Sequence, residues 1–308
     1  DVGNRNAGLI GQINGTGTIT VTGGDINLYR GEVNANLAST GSTALEKIGP
    51  GTVTLRGDNT GLTSTGNSIL YSGTLVLDYT AQNNDKLRAG STLNMRGGIL
   101  EVQGSNGAAT SQTVNGLSLS NLGSSQIQVT GGTGQDAVLN LGGITRAAST
   151  GMIRFVLPSG TQSATHGITT TAGVTKGILG SGAAFATVND GTGVWFASKS
   201  GDNIVALAST AANDVTTWAP GADITDETTG FTGLVEGRLI NSLRFDASGG
   251  SVVNIIDAGN SINLASGGIL VTNNVVAGAP GISGGRLRSG VGELLITNDS
   301  TQDFTISS

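Results

Sequence analysis

Three segments far apart in the chain share one grammar. Gly15-Thr16-Gly17-Thr18-Ile19-Thr20-Val21-Thr22, Gly49-Pro50-Gly51-Thr52-Val53-Thr54-Leu55-Arg56 and Gly290-Val291-Gly292-Glu293-Leu294-Leu295-Ile296-Thr297 each open on Gly-x-Gly and run into a short strand. Apolar residues at alternate positions face one side. Threonine and serine, suited to strands, take much of the other. Helix formation is poorly served by such a pattern. The best helical candidate, 38–47, is short and rich in Gly, Ser and Thr.

Short strands can pair as hairpins or stack as coils. Hairpins favour Asn-Gly or Asp-Gly between two paired runs. Such dipeptides occur at Asn14-Gly15, Asn115-Gly116 and Asp190-Gly191, and none sits symmetrically between two long alternating runs. Recurrence along the chain instead favours stacked coils. Gly90-Ser91-Thr92-Leu93-Asn94-Met95 leads into Gly97-Gly98-Ile99-Leu100. Far downstream, Gly259-Asn260-Ser261-Ile262-Asn263-Leu264 leads into Gly267-Gly268-Ile269-Leu270, with one extra residue between the halves. Apolar pairs at Leu243/Phe245, Val253/Ile255, Ile262/Leu264 and Ile269/Val271 continue, after a gap, at Leu294/Ile296 and Phe304/Ile306.

Composition narrows what such coils enclose. Aromatic residues are 4% and charged residues 12% of the chain, against 52 glycines in 308 residues. The core is therefore expected to be narrow and aliphatic. A net charge of −6 with no cluster of Lys or Arg argues against nucleic acid and anionic membrane as partners, and the acidity is read as serving solubility. The absence of cysteine removes disulfides and thiolate chemistry. No apolar stretch approaches the roughly 18–20 residues of a membrane span, and Asp1-Val2-Gly3-Asn4-Arg5 holds no signal-peptide h-region. Both ends, the second at Phe304-Thr305-Ile306-Ser307-Ser308, read as cut from something longer or as those of a processed product.

One segment carries a family resemblance. Leu45-Glu46-Lys47-Ile48-Gly49-Pro50-Gly51-Thr52-Val53-Thr54-Leu55-Arg56-Gly57-Asp58-Asn59-Thr60, followed by Ser72-Gly73-Thr74-Leu75-Val76-Leu77, resembles the autotransporter-associated β-strand repeat. Shorter phrases, Leu139-Asn140-Leu141-Gly142-Gly143-Ile144-Thr145-Arg146, Asn241-Ser242-Leu243-Arg244-Phe245 and Ser266-Gly267-Gly268-Ile269-Leu270-Val271-Thr272, are similar to the units that accompany it. The resemblance implies a right-handed parallel β-helix exported to the bacterial surface, often in tandem copies. It names no catalytic residue. No segment matches the membrane β-barrel that ends an autotransporter, which leaves the export route open.

Three constellations invite a chemical reading. Gly131-Gly132-Thr133-Gly134-Gln135-Asp136-Ala137-Val138-Leu139 fits a Ca²⁺-binding nonapeptide, with Asp136 as the hard oxygen ligand. It is a single copy, and an ordinary glycine turn is the competing account. Asp223-Ile224-Thr225-Asp226-Glu227 is the densest acidic cluster, with Arg238 and Arg244 the nearest bases in sequence. A polysaccharide-acting β-helix enzyme would use such carboxylates; a solvated loop is the alternative. His166 is the single histidine, so no multi-histidine metal site exists within one chain.

The expectation is an all-β fold, a right-handed parallel β-helix (β-solenoid), with a less regular, loop-rich stretch near 146–235. It would form one elongated unit over 1–308, regular over 1–145 and 236–308. The expected role is structural, extracellular or at the bacterial cell surface, without enzymatic activity or cofactor beyond the Ca²⁺ option. Units would stack end to end through the first coils, around Ile10 and Ile19, and the last, at Phe304 and Ile306. The alternatives are an adhesin or passenger module binding surface glycans through the region of Trp195 and Trp218, and the polysaccharide-acting enzyme.

Overall fold

The structure, a computed structural model, describes residues 7–120, 123–227 and 230–307. It is a β-solenoid: almost all regular structure is strand, most of it parallel, and the helical content of the described residues is one 3₁₀ turn, Val215–Thr217. No helix among them is long and apolar enough to cross a membrane. The chain divides into two compact units, 1–172 with 200–204 and 173–199 with 205–308.

In the first unit the coils are stacked in parallel register. Ile26 pairs with Leu45, Leu45 with Ser68, Ser68 with Leu93, Leu93 with Leu117 and Leu117 with Ile144. The steps between these partners are 19, 23, 25, 24 and 27 residues, so the last coil is longer than the first by eight residues, with one small step back between. Ala7–Ile13 and Ile26–Val33 are single long strands, with a register shift opposite Tyr29. Beyond them each rung breaks into two strands at that point. Leu45–Lys47 is followed by Thr52–Leu55, Ser68–Leu70 by Thr74–Asp78, and Leu93–Met95 by Gly98–Gln103. Gly49, Gly51, Gly73, Gly97 and Gly98 lie in this corner, whereas Gly15 and Gly17 lie past it, between Ala7–Ile13 and Thr18–Val21.

Period-2 alternation converts directly into aliphatic columns. Val53, Leu75, Leu100, Ile127 and Phe155 are successive cross-strand neighbours, as are Leu55, Leu77, Val102 and Val129. All nine are fully or almost fully buried. Each such side chain contributes about 1.5–3 kcal/mol, and neighbours one strand spacing apart, about 4.8 Å, fill the gap between rungs.

The residues that carry the family resemblance are structural. Lys47 points inward and is wholly buried, and its Nζ donates to the carbonyls of Gly49 (2.7 Å), Ser72 (3.1 Å) and Ile48 (3.3 Å). A buried lysine thus satisfies the corner carbonyls of two coils. Gly73 sits beneath with φ +70°; a Cβ there would lie 2.4 Å from the Gly51 oxygen and 2.8 Å from Lys47 Nζ. Asn59 joins three coils: its Oδ1 accepts from Leu37 N (2.9 Å) and its Nδ2 donates to Lys86 O (3.2 Å).

The second unit repeats the principle. Ile224 pairs with Leu243, Leu243 with Ile269 and Ile269 with Ile296 on one face. Leu234–Val235, Val252–Ile255, Gly281–Ser283 and Thr305–Ser307 form the other. Its core is less purely aliphatic than composition suggests. Trp218, Phe231, Phe245 and Phe304 meet edge to face in series, at 5.2, 5.2 and 5.4 Å between centroids.

The internal echo is faithful in the positions that matter. Inward residues Leu93, Met95 and Leu100 have the same spacing as Ile262, Leu264 and Ile269. The extra residue moves the Gly-Gly pair, not the inward set, so the core face is preserved.

The expected irregular stretch holds antiparallel structure, and this corrects the exclusion of hairpins. Ala186–Asn189 and Val194–Ser200 pair antiparallel across Asp190-Gly191-Thr192-Gly193. Asp190 Oδ1 ties this turn by accepting from Thr192 N (2.9 Å), Thr192 Oγ1 (2.7 Å) and Gly193 N (3.2 Å). The same Asp-x-Thr device closes turns at Asp58, Asp78 and Asp214. A carboxylate accepting from a backbone N–H and a hydroxyl two residues on needs no partner strand, which is why a four-residue loop suffices here. Val174–Thr175 and Ile178–Leu179 form a second, shorter antiparallel pair, with Lys176 at φ 52° in its turn.

Candidate functional site

The acidic cluster lies in the second unit, on and just after the strand Asp223–Thr225. Alternation sends Ile224 into the core, leaving Asp223 and Thr225 on the outer face. Asp223 Oδ1 accepts from Asn241 Nδ2 (2.8 Å) and Ser242 Oγ (2.5 Å). Burial raises its pKa, and those two donors counter the shift. Asp226 is fully buried and accepts from the backbone N–H groups of Asp246 and Ala247 and from Ser251 Oγ. Burial raises its pKa too, against the stabilising hydrogen bonds. It acts as a structural tie between coils. Glu227 is exposed beside an open depression that Asp246, Ser248 and Asn274 also border.

Arg244 is the organising cation of this face. It is buried, and its three nitrogens donate to Val194 O (2.9 Å), Thr225 Oγ1 (3.0 Å) and Asp246 Oδ1 (2.8 Å). Burial lowers its pKa, with Asp246 opposing. The guanidinium lies 3.7 Å from the ring centroid of Trp195. One planar fork therefore pins the hairpin of 186–200 onto the outer sheet face. Leu270 on that face packs with Ala184, Val194 and Phe196. Arg238, the other base singled out, donates to the Gly237 and Thr216 carbonyls.

Neither tryptophan forms an open binding platform. Trp218 is in the core, with Nε1 donating to Ala212 O at 2.9 Å. Trp195 is half-buried and stacked on Arg244.

Asp136 and His166, read separately in the sequence, are brought together in the first unit. His166 Nδ1 lies 3.1 Å from Asp136 Oδ1, Nε2 donates to Ser159 O (2.9 Å), and Thr165 Oγ1 donates to Asp136 Oδ2 (3.2 Å). The glycine run before Asp136 has a stacking role: a Cβ on Gly132 would lie 1.8 Å from the Ser105 oxygen of the coil beneath. No group of three or more His, Cys, Asp or Glu gathers in a metal-holding arrangement among the described residues.

Between the turn of 131–136 and the segment of 156–166 lies a cleft of about 370 Å³. Gln128, Gln135, Asp136 and His166 give it polar walls, and Val156, Leu157 and Pro158 an aliphatic side. Sequence reasoning missed this cleft. Its parts come from neighbouring coils, and only the register Gln128↔Val156 makes them adjacent.

The residues expected at the two ends of the stack come from both units, Ile10 and Ile19 from the first and Phe304 and Ile306 from the second. Ile10 lies on Ala7–Ile13, opposite Arg30, and its side chain is outside the described residues. Ile19 is half-buried on Thr18–Val21. Phe304 packs on Phe245, and Ile306 is exposed on Thr305–Ser307.

No family model matches the chain, and no solved structure matches it. The chain is similar to the adhesin BmaC autotransporter of Brucella suis biovar 1 (strain 1330), at 35% identity over an alignment of 257 positions that covers 79% of the chain. The chain spans 7% of the length of that protein. Over most of its length, then, this β-solenoid is similar to a short segment of an autotransporter adhesin.

Proposed function

We propose that the chain is a surface-exposed, adhesin-like β-solenoid module whose coils form a scaffold and whose loops make the contacts, with no catalytic site of its own. The observation that carries this reading is the 35% identity to an autotransporter adhesin across 79% of the chain, joined to stacked parallel coils. The repeat resemblance over 45–77 supports the same reading, because Lys47, Asn59 and Gly73 each serve coil stacking. The acidic cluster lends little to the enzyme alternative. Asp226 is sealed in the core and Asp223 is held by Asn241 and Ser242. Display of the chain on a non-adherent bacterium, followed by counting of cells retained on host-cell monolayers, tests the proposal. Retention no greater than that of the bare display scaffold overturns it. Depolymerisation of acidic polysaccharides that is lost in Asp223→Asn would restore the enzyme reading.

Stacking of units end to end is a second reading with its own observation. Among the described residues, Arg286–Ser289, Leu295–Asn298 and Thr305–Ser307 each pair on one side, and inward-parity Ile296 and Ile306 are 38% and 40% exposed. An edge of this kind is a template for another coil. Concentration-dependent sedimentation that Ile306→Lys abolishes supports it, and a single monomeric species at all concentrations overturns it.

A further inference from the structure

The cleft beside Asp136 is built from groups whose hydrogen-bonding capacity is not consumed by the fold. Gln128 and Val156 are cross-strand partners on the outer face of the sheet and form its floor. The turn carrying Gln135 and Asp136 is one wall, and Leu157, Pro158 and His166 contribute the other. The amide groups of Gln128 and Gln135 make no hydrogen bond among the described residues, in a chain where buried Gln112 uses its amide for five. Asp136 is 53% exposed at its side chain, which contacts His166 and Thr165 at 3.1 and 3.2 Å. The cleft volume falls in the range of roughly 300–1,000 Å³ typical of small-ligand sites.

The chemistry of the walls selects the ligand class. No Lys or Arg lines the cleft, and its ionisable side chains are Asp136 and His166, 3.1 Å apart. A carboxylated or sulfated ligand would meet the Asp136 carboxylate with no cation to receive it. A neutral polyol fits. Carboxylate and amide heads accept from and donate to vicinal hydroxyls, while half-buried Val156, backed by buried Leu157 and Pro158, offers an aliphatic surface to the C–H face of a ring. We propose that this cleft binds a neutral sugar residue of a surface glycan, with Asp136, Gln128 and Gln135 making the hydroxyl contacts. The proposal deepens the adhesin reading and rests on it for its biological setting, but the chemistry of the cleft is testable separately.

The test is amide chemical-shift mapping on the isotope-labelled full chain, titrated with methyl glycosides of glucose, galactose and mannose, with glucuronic acid for comparison. The expected result is a saturable response in the millimolar range from at least one neutral sugar, confined to 128–136 and 156–166 and larger than that from glucuronic acid. Asp136→Ala and Gln128→Ala should each weaken the response by about tenfold. Asp136→Asn, which keeps an acceptor for Thr165, serves if the alanine variant fails to fold, with the same expected loss. No saturable shift with any neutral sugar, or shifts that neither Asp136→Asn nor Gln128→Ala changes, overturns the proposal. Adherence to host-cell monolayers is measured on the same protein displayed at a surface. Adherence without sugar-induced shifts overturns the cleft assignment alone. Saturable shifts without adherence overturn the adhesin reading and leave the cleft standing.

Discussion

Replacing Lys86 by methionine should remove a rise in stability between pH 7 and pH 9.5. Lys86 is fully buried; its Nζ donates to Gly57 O (3.0 Å) and Gln82 O (2.8 Å) and lies 4.8 Å from the ring centroid of Tyr79. Burial lowers its pKa from 10.5 to about 8 in spite of Asp58, Asp78 and Asp85 nearby. The folded chain thus holds this proton less tightly than the unfolded chain. Unfolding takes up a proton between pH 8 and 10.5, and stability rises with pH across that window. The full shift corresponds to about 3 kcal/mol, of which about 2 kcal/mol is realised by pH 9.5. The assay is urea unfolding followed by circular dichroism at pH 7 and pH 9.5, in wild type and Lys86→Met. The change with pH is compared between the two, because the variant also strands the Gly57 and Gln82 carbonyls and loses stability at every pH. Lys47, lowered by burial in the same direction, contributes equally to both proteins and cancels. Equal slopes in wild type and variant would refute the account of Lys86.

Above pH 10 the sign reverses at Tyr79. Burial raises its pKa, so the neutral phenol stabilises the fold fully below pH 10 and that contribution is lost as the pH climbs further; Tyr79→Phe should flatten the alkaline fall in Tm. Gly73→Ala forces a Cβ into a positive-φ corner 2.4 Å from the Gly51 oxygen, and should cost at least about 2 kcal/mol by chemical denaturation. Arg244→Lys keeps the charge but loses the fork that reaches Val194, Thr225 and Asp246; limited proteolysis should then cut within 186–200 at least about tenfold faster, while cleavage elsewhere is unchanged. Trp218→Ala should destabilise the second unit by about 3–5 kcal/mol, read by calorimetry, because the ring is a core member.

The stacked architecture was legible wherever a local rule and the global fold agree. Around 45–77 alternation, the Gly-x-Gly corner and the spacing of the second half all describe one rung pair, and the columns through Val53 and Leu55 follow. The internal echo was legible for the same reason, since inward spacing is fixed by the corner. The hairpin at Asp190 was not, because its strands are unequal and its turn is held by an aspartate side chain in place of a two-residue primed turn. Asp-x-Thr at 58, 78, 190 and 214 was the available signal for such turns. Trp218 misled because rarity and an irregular neighbourhood resemble the marks of a binding surface; its burial follows from Phe231, Phe245 and Phe304, which come from later coils. The pairing of Asp136 with His166 depended on how far the segment after Val156 folds back, a length that no local pattern sets.

The coil lengths bear on how such a chain responds to load. In a stack held mainly by nearest-neighbour pairing, tension applied to a terminal coil strips one ladder at a time and does not break all rungs together. Each coil of about 25 residues surrenders roughly 85 Å of slack while shortening the stack by about 4.8 Å, one strand spacing. Because the coils of the first unit range from 19 to 27 residues, the length released differs from coil to coil, and a tether built this way lets out its line in graded steps.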